Sequence, residues 1–277
     1  MAPRMLWLEL GTVCQLACRH CYNNSGADGD PGVMTTGDWR AVIGQAADLG
    51  TELVQFIGGE PTLHPDLPVL IAAARRAGIQ VEVYSNLVHV TPQVWAALAQ
   101  DDVRLATSFY SDDPGEHRQV TGRDTHRQTC SNISRALEMG IPIRVGLVEV
   151  LAGQRVAQAS VMLTRMGVRK IRTDQVRPFG RAAGDEEGHA TAGLCGRCGR
   201  ASAAILGSGQ IAPCPMARWL ADGDVRTDGL ADLLERVWQR AAAQIAPVHA
   251  GCGPHDGCSP PCEPQKCDPD IACTPED

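Results

Sequence analysis

The chain is short of lysine, of aromatic rings and of long apolar runs. Lys170 and Lys266 are the only lysines among 25 basic residues, and Trp, Tyr and Phe together make up 4% of the 277 residues. Arginine and alanine stand where lysine is usual, which reads as compositional bias and not as phosphate binding. The net charge of −7 argues against a general nucleic-acid binder, which needs a basic face. No apolar run reaches the ~18–20 residues of a membrane span. Residues 1–4 lead straight into a strand-like run, without the apolar stretch and cleavage site of a signal peptide. The expectation is a cytoplasmic protein with neither nucleic acid nor membrane as partner. Cysteine is what the chain has in excess, with twelve. A chain of this length can fold without disulfides, and stable disulfides are uncommon in a reducing compartment. Twelve cysteines there point to metal or redox chemistry.

Strand and helix signals alternate through the first two thirds of the chain. Strands are expected at residues 6–10, 52–57, 79–85, 103–109, 141–150 and 168–173. Helices are expected at 38–49, 65–77, from Thr91-Pro92, at 129–139 and at 156–166, most of them stopped by glycine. Repeating β-α units with short turns imply parallel strands with helices outside. Six units fall short of the eight of a closed barrel, so the expected fold class is α/β, a partial (β/α)6 barrel over residues 1–184. Residues 181–193 are small, charged and Gly-rich and read as a linker. Beyond them, 203–211 reads as a hairpin turning at Gly207-Ser208-Gly209, and 230–245 as an amphipathic helix. From His249 on, the chain is rich in Pro, Gly and Cys and has no periodicity. Such a tail cannot order itself by burial, so residues 185–277 read as a small cross-linked domain.

Cys14, Cys18 and Cys21 form a C-x3-C-x2-C run in the loop after the first strand. Structural zinc and ordinary iron–sulfur sites take four protein ligands. Three cysteines on a [4Fe–4S] cluster would leave one iron open to a cofactor; zinc or idle thiols are the other readings of the run alone. Cys14-Gln15-Leu16-Ala17-Cys18-Arg19-His20-Cys21-Tyr22 resembles the signature of radical S-adenosylmethionine (SAM) enzymes, with His20 where that family usually has an aromatic ring. Gly58-Gly59-Glu60-Pro61, after the second strand, resembles the family's GGE motif. A lone Gly-Gly-Glu is an ordinary turn, but in this order on a β-α repeat the two motifs support each other. The resemblance runs to about residue 184.

The resemblance implies that Cys14, Cys18 and Cys21 hold a [4Fe–4S] cluster whose open iron takes the amino and carboxylate groups of SAM. The backbone of Gly58, Gly59 and Glu60 would hold the amino group. Reductive cleavage then gives methionine and a 5′-deoxyadenosyl radical, which abstracts a hydrogen from substrate. Ser85, Asn86 and Ser108 end strands and could bond the ribose or carboxylate; the family often has Ser/Thr-Asn-Gly where this chain has Ser85-Asn86-Leu87. Arg144, inside the fifth strand, could pair with the SAM carboxylate. Each is also readable as an ordinary polar strand-end residue, and for Ser85 and Arg144 the two readings are about equal. Glu9 points into the barrel or at a neighbouring strand and carries no assignment.

The last third of the chain holds Cys195, Cys198, Cys214, Cys252, Cys258, Cys262, Cys267 and Cys273. Eight cysteines are two sets of four, the ligand count of two clusters. Their spacing is similar to the SPASM extension of radical SAM enzymes, with one departure: His249 stands where a cysteine is expected. Either His249 is a ligand, or the spare cysteine among Cys267 and Cys273 restores the count. The resemblance assigns Cys195, Cys198, Cys214 and Cys262 to one auxiliary cluster and Cys252, Cys258, Cys267 and Cys273 to the other, three [4Fe–4S] clusters in all. Two four-cysteine zinc sites are the alternative. Either metal would supply the folding energy the tail lacks.

Cys130 is left over. It reads first as a small buried apolar residue, and second as a hydrogen-atom donor of the kind some radical SAM epimerases use. Arg177-Pro178-Phe179-Gly180-Arg181 resembles a joint common in the family and is expected to shape the substrate mouth. A general base could be Asp112, Asp113, Asp174 or Glu187, with nothing to select among them. The resemblance implies a radical SAM oxidoreductase. Its substrate would be a ribosomally made peptide, given a C–C or C–S cross-link or an oxidised side chain. The alternatives are an epimerase or dehydrogenase of an aminoglycoside or other sugar, and a non-enzymatic zinc-stapled module. An external reductant of flavodoxin or ferredoxin type is implied. No leader-binding domain precedes the first strand, so a separate leader-peptide-binding protein, or direct docking on the barrel mouth, is expected for a peptide substrate.

Overall fold

Thr35 opens the first helix. Its side chain accepts from the Asp38 N–H while the Asp38 carboxylate accepts from the Thr35 N–H, a reciprocal cap. The same logic recurs at Thr91, which caps Val94 ahead of Pro92. These signals set the alternation of the computed structural model, which describes residues 2–183 and 191–245. The units run β1 (Met5–Glu9), α1 (Thr36–Asp48), β2 (Leu53–Ile57), α2 (Leu67–Arg76), β3 (Gln80–Tyr84), α3 (Pro92–Leu98) and β4 (Val103–Phe109). They continue through α4 (Pro114–Thr121), α5 (His126–Glu138), β5 (Ile143–Glu149), α6 (Val156–Met166) and β6 (Lys170–Gln175). A hairpin of β7 (Ser202–Ile205) and β8 (Ile211–Ala212) and a last helix, α7 (Leu230–Gln244), follow.

The strands form one sheet in the order β6-β5-β4-β3-β2-β1-β7-β8. Six parallel strands in sequence order make the partial α/β barrel that the pattern implies. Strand alternation gives the sheet two unlike faces. Leu6, Leu8, Val54, Phe56, Val81, Val83, Leu105, Val145 and Leu147 are buried under the helices in one core. The alternate positions Glu9, Gln55 and Glu82 are equally buried but polar, and they line the inside of the barrel. No helix among the described residues is long and apolar enough to cross a membrane.

Two features depart from the sequence reading. The polar stretch after β4 folds as α4, because Asp113 caps Glu116 ahead of Pro114 and Gly122 closes it in the left-handed region. Its low apolar content hides it; only His117, Val120 and Thr121 are buried. Second, the hairpin does not stand apart from the barrel. β7 pairs in parallel with β1, Met5 opposite Ser202 through Leu8 opposite Ile205. The Leu230 N–H donates to the Gln45 Oε1 of α1 at 2.9 Å, and Leu230, Leu233, Leu234 and Val237 join the barrel core. β7 and α7 thus share the sheet and the core of the six-strand unit. The tail from residue 246, with Cys252, Cys258, Cys262, Cys267, Cys273 and His249, lies outside the described residues, as does Glu187.

A shared core makes a shared unfolding transition. Leu8→Ala in β1 and Leu234→Ala in α7 are each expected to cost about 2–5 kcal/mol and to shift a single urea transition. Two separate transitions in the Leu234→Ala protein would show that hairpin and helix fold apart from the barrel.

Candidate functional site

The loop after β1 carries Cys14, Cys18 and Cys21, all free thiols, with Cys14 buried. Its shape comes from backbone contacts on three sides. Cys14 N–H donates to the Gly26 carbonyl and Thr12 N–H to that of Asp30. Ala17 and Arg19 N–H groups donate to the carbonyls of Thr121 and Val120 at the end of α4, both at 3.0 Å. The third side is Gly180-Arg181. The Arg181 N–H donates to the Cys21 carbonyl at 3.0 Å, its Nε to the Cys18 carbonyl at 2.7 Å and its Nη2 to the Ser25 carbonyl at 2.8 Å. A Cβ on Gly180, at φ +56°, would lie 2.4 Å from the Cys21 oxygen. The Arg177–Arg181 joint, expected at a substrate mouth, therefore clamps the cysteine loop.

Gly58 and Gly59 close the loop from below. A Cβ on Gly59 would sit 2.1 Å from the Val13 oxygen, and one on Gly58, at φ +142°, 2.4 Å from the Gly11 oxygen. The Gly59 and Glu60 N–H groups donate to the Gly11 and Val13 carbonyls at 2.8 and 2.9 Å. Glycine is thus required for the turn to lie flat on the cysteine loop, backbone against backbone.

Glu60 is buried and ties two strand ends together. Its Oε1 accepts from Thr62 N–H at 3.0 Å, Thr62 Oγ1 at 2.7 Å and Ser85 Oγ at 2.7 Å. Its Oε2 accepts from Asn86 N–H at 2.7 Å. Burial raises its pKa, and these hydrogen bonds work in the other direction. Ser85 is thereby committed to Glu60 and not to an open site. Asn86 alone of the pair reaches the thiols, its Nδ2 lying 3.6 Å from Cys14 Sγ. Leu87, where the related motif has glycine, adopts φ +56° and is fully buried. It is held by its own N–H on Ser85 Oγ and by Asn132 Nδ2 on its carbonyl. The glycine of the motif is a backbone requirement, and here tertiary contacts meet it with a leucine.

Arg144 departs from its expected role. Its Nε and Nη2 form a two-pronged bond with Glu82 at 2.9 and 2.7 Å, so the fork that would clasp a SAM carboxylate is occupied. Ser108 Oγ lies 3.0 Å from the Tyr84 hydroxyl, on the inner face. Glu9 faces inward as well, in a bidentate ion pair with Arg218 from beyond β8. His20 packs edge-on to Tyr110, with ring centroids 5.1 Å apart, and burial lowers its pKa to about 4, so it is neutral near pH 7. Cys130 lies on α5 and packs against the helix-side core, 3.8 Å from His126 Nε2. That is the face opposite the barrel interior, which favours the small-apolar reading over the hydrogen-atom donor. Of the proposed bases, Asp112 is paired with Arg155 at 2.7 Å, Asp113 caps α4, and Asp174 lies 3.9 Å from Arg177.

The loop suits a cluster in its donor chemistry. Burial pushes the Cys14 thiol up to about 11 and the Cys18 thiol up to about 12, and Cys21 adds to both. Three such thiolates need a cation to coexist. Among the described residues no three His, Cys, Asp or Glu side chains converge on one ion-sized point. A cubane does not require that, because each thiolate takes a different iron. A second cysteine group forms where β8 ends: Cys198 Sγ lies 3.2 Å from Cys214 Sγ, and Cys195 is close enough to raise the Cys198 thiol. Both pack with Phe179, Leu194, Leu220 and, from the first loop, Tyr22. Three of the four cysteines expected for the first auxiliary site are thus together, packed with Tyr22, the residue that follows Cys21.

Arg181→Gln removes two charged bonds to loop carbonyls and is expected to cost about 1–2 kcal/mol. A chelator should strip iron from the reconstituted variant several-fold faster; an unchanged rate would show that the clamp does not hold the loop. Leu87→Gly relieves about 1–2 kcal/mol of left-handed strain but leaves a core cavity costing about 2–5 kcal/mol. The net expectation is a lower thermal midpoint, and a raised one would reverse this balance.

Residues 8–153, which include the cysteine loop and the Gly58-Gly59 turn, match the Radical SAM superfamily. The mycofactocin maturase MftC of Mycobacterium tuberculosis is 28% identical over 317 aligned positions, covering 94% of this chain and 78% of that one. The PqqA peptide cyclase of Streptomyces rochei is 30% identical over 148 residues, 53% of this chain and 41% of the cyclase. In fold, Streptococcus suis SuiB bound to precursor peptide SuiA is similar with a TM-score of 0.71 at 16% identity, over 84% of this chain and 64% of SuiB. The chain therefore spans less than half of the cyclase and just under two thirds of SuiB. With the three-cysteine loop, the glycine turn seated on it and the parallel strand order all in place, the chain belongs to the Radical SAM superfamily.

Proposed function

We infer that this chain is a SAM-cleaving peptide maturase whose first three cysteines hold the reactive cluster. One observation carries the reading: the cysteine loop, the glycine turn and the Glu60–Ser85–Asn86 network form one hydrogen-bonded unit at the C-terminal ends of β1, β2 and β3. That is the end at which β/α barrels keep their chemistry. When bound, the cluster supplies the electron that cleaves SAM into methionine and a 5′-deoxyadenosyl radical.

The residues of the chain do the holding. Cys14, Cys18 and Cys21 would hold the cluster, and Asn86, 3.6 Å from the Cys14 sulfur, would orient that thiolate. The N–H groups of Gly59 and Glu60 are engaged with the cysteine loop, so a SAM amino group would be received by carbonyl oxygens of the turn. Glu60 keeps the β2 and β3 ends at a fixed distance, which keeps that turn in place. His20, neutral, packs edge-on to Tyr110 beside Cys21.

A peptide substrate is supported by the relatives, a peptide cyclase and a mycofactocin maturase, and by SuiB, which was crystallised with a precursor peptide. Two auxiliary clusters remain part of the proposal. Cys195, Cys198, Cys214 and Cys262 would hold one, and Cys252, Cys258, Cys267 and Cys273 the other. They would accept an electron from the substrate radical, making the outcome oxidative. A flavodoxin or ferredoxin would deliver the initiating electron, and a separate protein would present the leader peptide.

Anaerobic reconstitution tests the reading. About twelve irons per chain are expected for three clusters, with 5′-deoxyadenosine formed from SAM on adding dithionite. Cys18→Ala should abolish that product while the auxiliary iron remains. If a precursor-peptide gene lies beside this one, its product should lose two hydrogens per turnover. Zinc in place of iron, with no SAM cleavage, would overturn the reading.

A further inference from the structure

The barrel's inner face carries an unbalanced charge. Glu82 of β3 is buried, and two arginines converge on it. Arg144 of β5 takes it with Nε and Nη2 at 2.9 and 2.7 Å, and Arg104 of β4 with Nε alone at 3.1 Å. Gln55 of β2 adds a hydrogen bond to the same carboxylate. These partners hold the Glu82 carboxyl below the ordinary glutamate range in spite of its burial, so it is an anion near pH 7. The trio is therefore two cations and one anion.

No second acid balances it. Of the other inward carboxylates, Glu9 is committed to Arg218, and Asp174 of β6, level with Val148 on the face of Arg144, shares its strand with Lys170 and Arg172 and lies 3.9 Å from Arg177. Among the described residues, neither terminal nitrogen of Arg104 has a hydrogen-bond acceptor. Both arginines remain open to solvent, with 38% and 37% of the side-chain surface exposed, while their partner is sealed beneath them. Strand alternation places them on the inner face: Val81 and Val83, on either side of Glu82, and Leu105, beside Arg104, are buried under the helices. Arg144 also lies over the Tyr84 ring, 5.3 Å from its centroid, and the Tyr84 hydroxyl meets Ser108 at the strand ends. A planar fork anchored by one nitrogen and offering its outer edge is suited to a second carboxylate.

We propose that Arg104, braced by Glu82 and Arg144, is a carboxylate-recognition site on the floor of the barrel, and that the substrate segment entering the barrel carries a carboxylate. A carboxylate docked on the outer edge of Arg104 brings the trio to two cations and two anions. The assignment deepens the peptide-maturase reading and rests on it for the identity of the ligand. An acidic side chain and a peptide C-terminus share this chemistry, and the test separates them.

The test uses the reconstituted holoenzyme and equilibrium dialysis, with no turnover. The probes are radiolabelled N-acetylglutamate N-methylamide, which offers a side-chain carboxylate, N-acetylalanine, which offers a terminal one, and N-acetylglutamine N-methylamide, which offers none. Saturable binding of either acid at one site is expected, with the amide at least about tenfold weaker; the tighter acid names the source. Arg104→Gln should lose about tenfold or more in acid binding, and Arg104→Lys should recover only part of it, since charge without the fork is half the site. Glu82→Gln should tighten acid binding, because it removes the internal competitor. SAM affinity and cluster iron should be unchanged in Arg104→Gln, which also shows that the variant is folded.

Equal binding of acid and amide, or acid binding indifferent to Arg104→Gln, would overturn the assignment. So would SAM affinity falling in parallel, which would place Arg104 in the SAM site. A chain that binds the acid through Arg104 but cleaves no SAM keeps this assignment and loses the maturase reading. A chain that cleaves SAM and binds no acid does the reverse.

Discussion

Backbone contact between the cysteine loop and the Gly58-Gly59 turn is the constraint on which the rest of the site depends. Two loops from adjacent strands lie against each other with no side chain between them, closer than any Cβ would permit. This closeness holds the cysteine loop against the end of β2. It also consumes the N–H groups of the turn, leaving its carbonyls as the polar atoms available above. Glu60 extends the constraint sideways to β3, and Gly180-Arg181 extends it across to the chain leaving β6. A loop of three thiols, which would repel one another as thiolates, is thus held by groups that are mostly not thiols.

The sheet divides labour between its two faces. The outer face is aliphatic and makes the fold stable, with Leu8, Phe56, Val83 and Leu147 sealed under helices. From β1 to β5 the inner face places charge in a partly closed space as arginine against glutamate. Glu9 with Arg218 and Glu82 with Arg104 and Arg144 each join residues far apart in sequence, and one partner in each is buried while the other reaches solvent. Arginine suits this arrangement because its fork bonds one group while presenting another edge.

The parts of the site that were legible in the sequence are those with local spacing. The C-x3-C-x2-C run, the Gly-Gly-Glu turn, the caps at Thr35 and Thr91 and the order of strands all follow from near neighbours. What was not legible depends on partners distant in the chain. Arg144 looked free for a cofactor because Glu82, 62 positions away, cannot be paired to it by inspection. Ser85 looked available because its bond to Glu60 crosses between strands. Leu87 appeared as a lapse from a motif, while its left-handed backbone shows the motif's geometry kept with a different residue. Helix α4 had its caps in plain view, but its apolar content was too low to announce it. The segment ending at Arg181 resembles a joint of the family, and its grip on the cysteine loop is visible only with residues 18 and 181 in contact.

The place of β1 between β2 and β7 has a consequence for how the chain is made. Its first edge pairs with residues 53–57, but its second must wait for residues 202–205. At about 5–20 residues per second, the roughly 145 residues between them take on the order of 10–30 s to emerge. For that time a central strand bearing Met5, Leu6 and Leu8 has an unpaired edge, open to any other strand. The three-thiol loop hangs from the end of that same strand. Late strand pairing, oxygen-sensitive thiols and metal delivery therefore fall in one interval of synthesis, and the yield of active protein from cells should depend as much on translation rate and iron supply in that interval as on the stability of the finished fold.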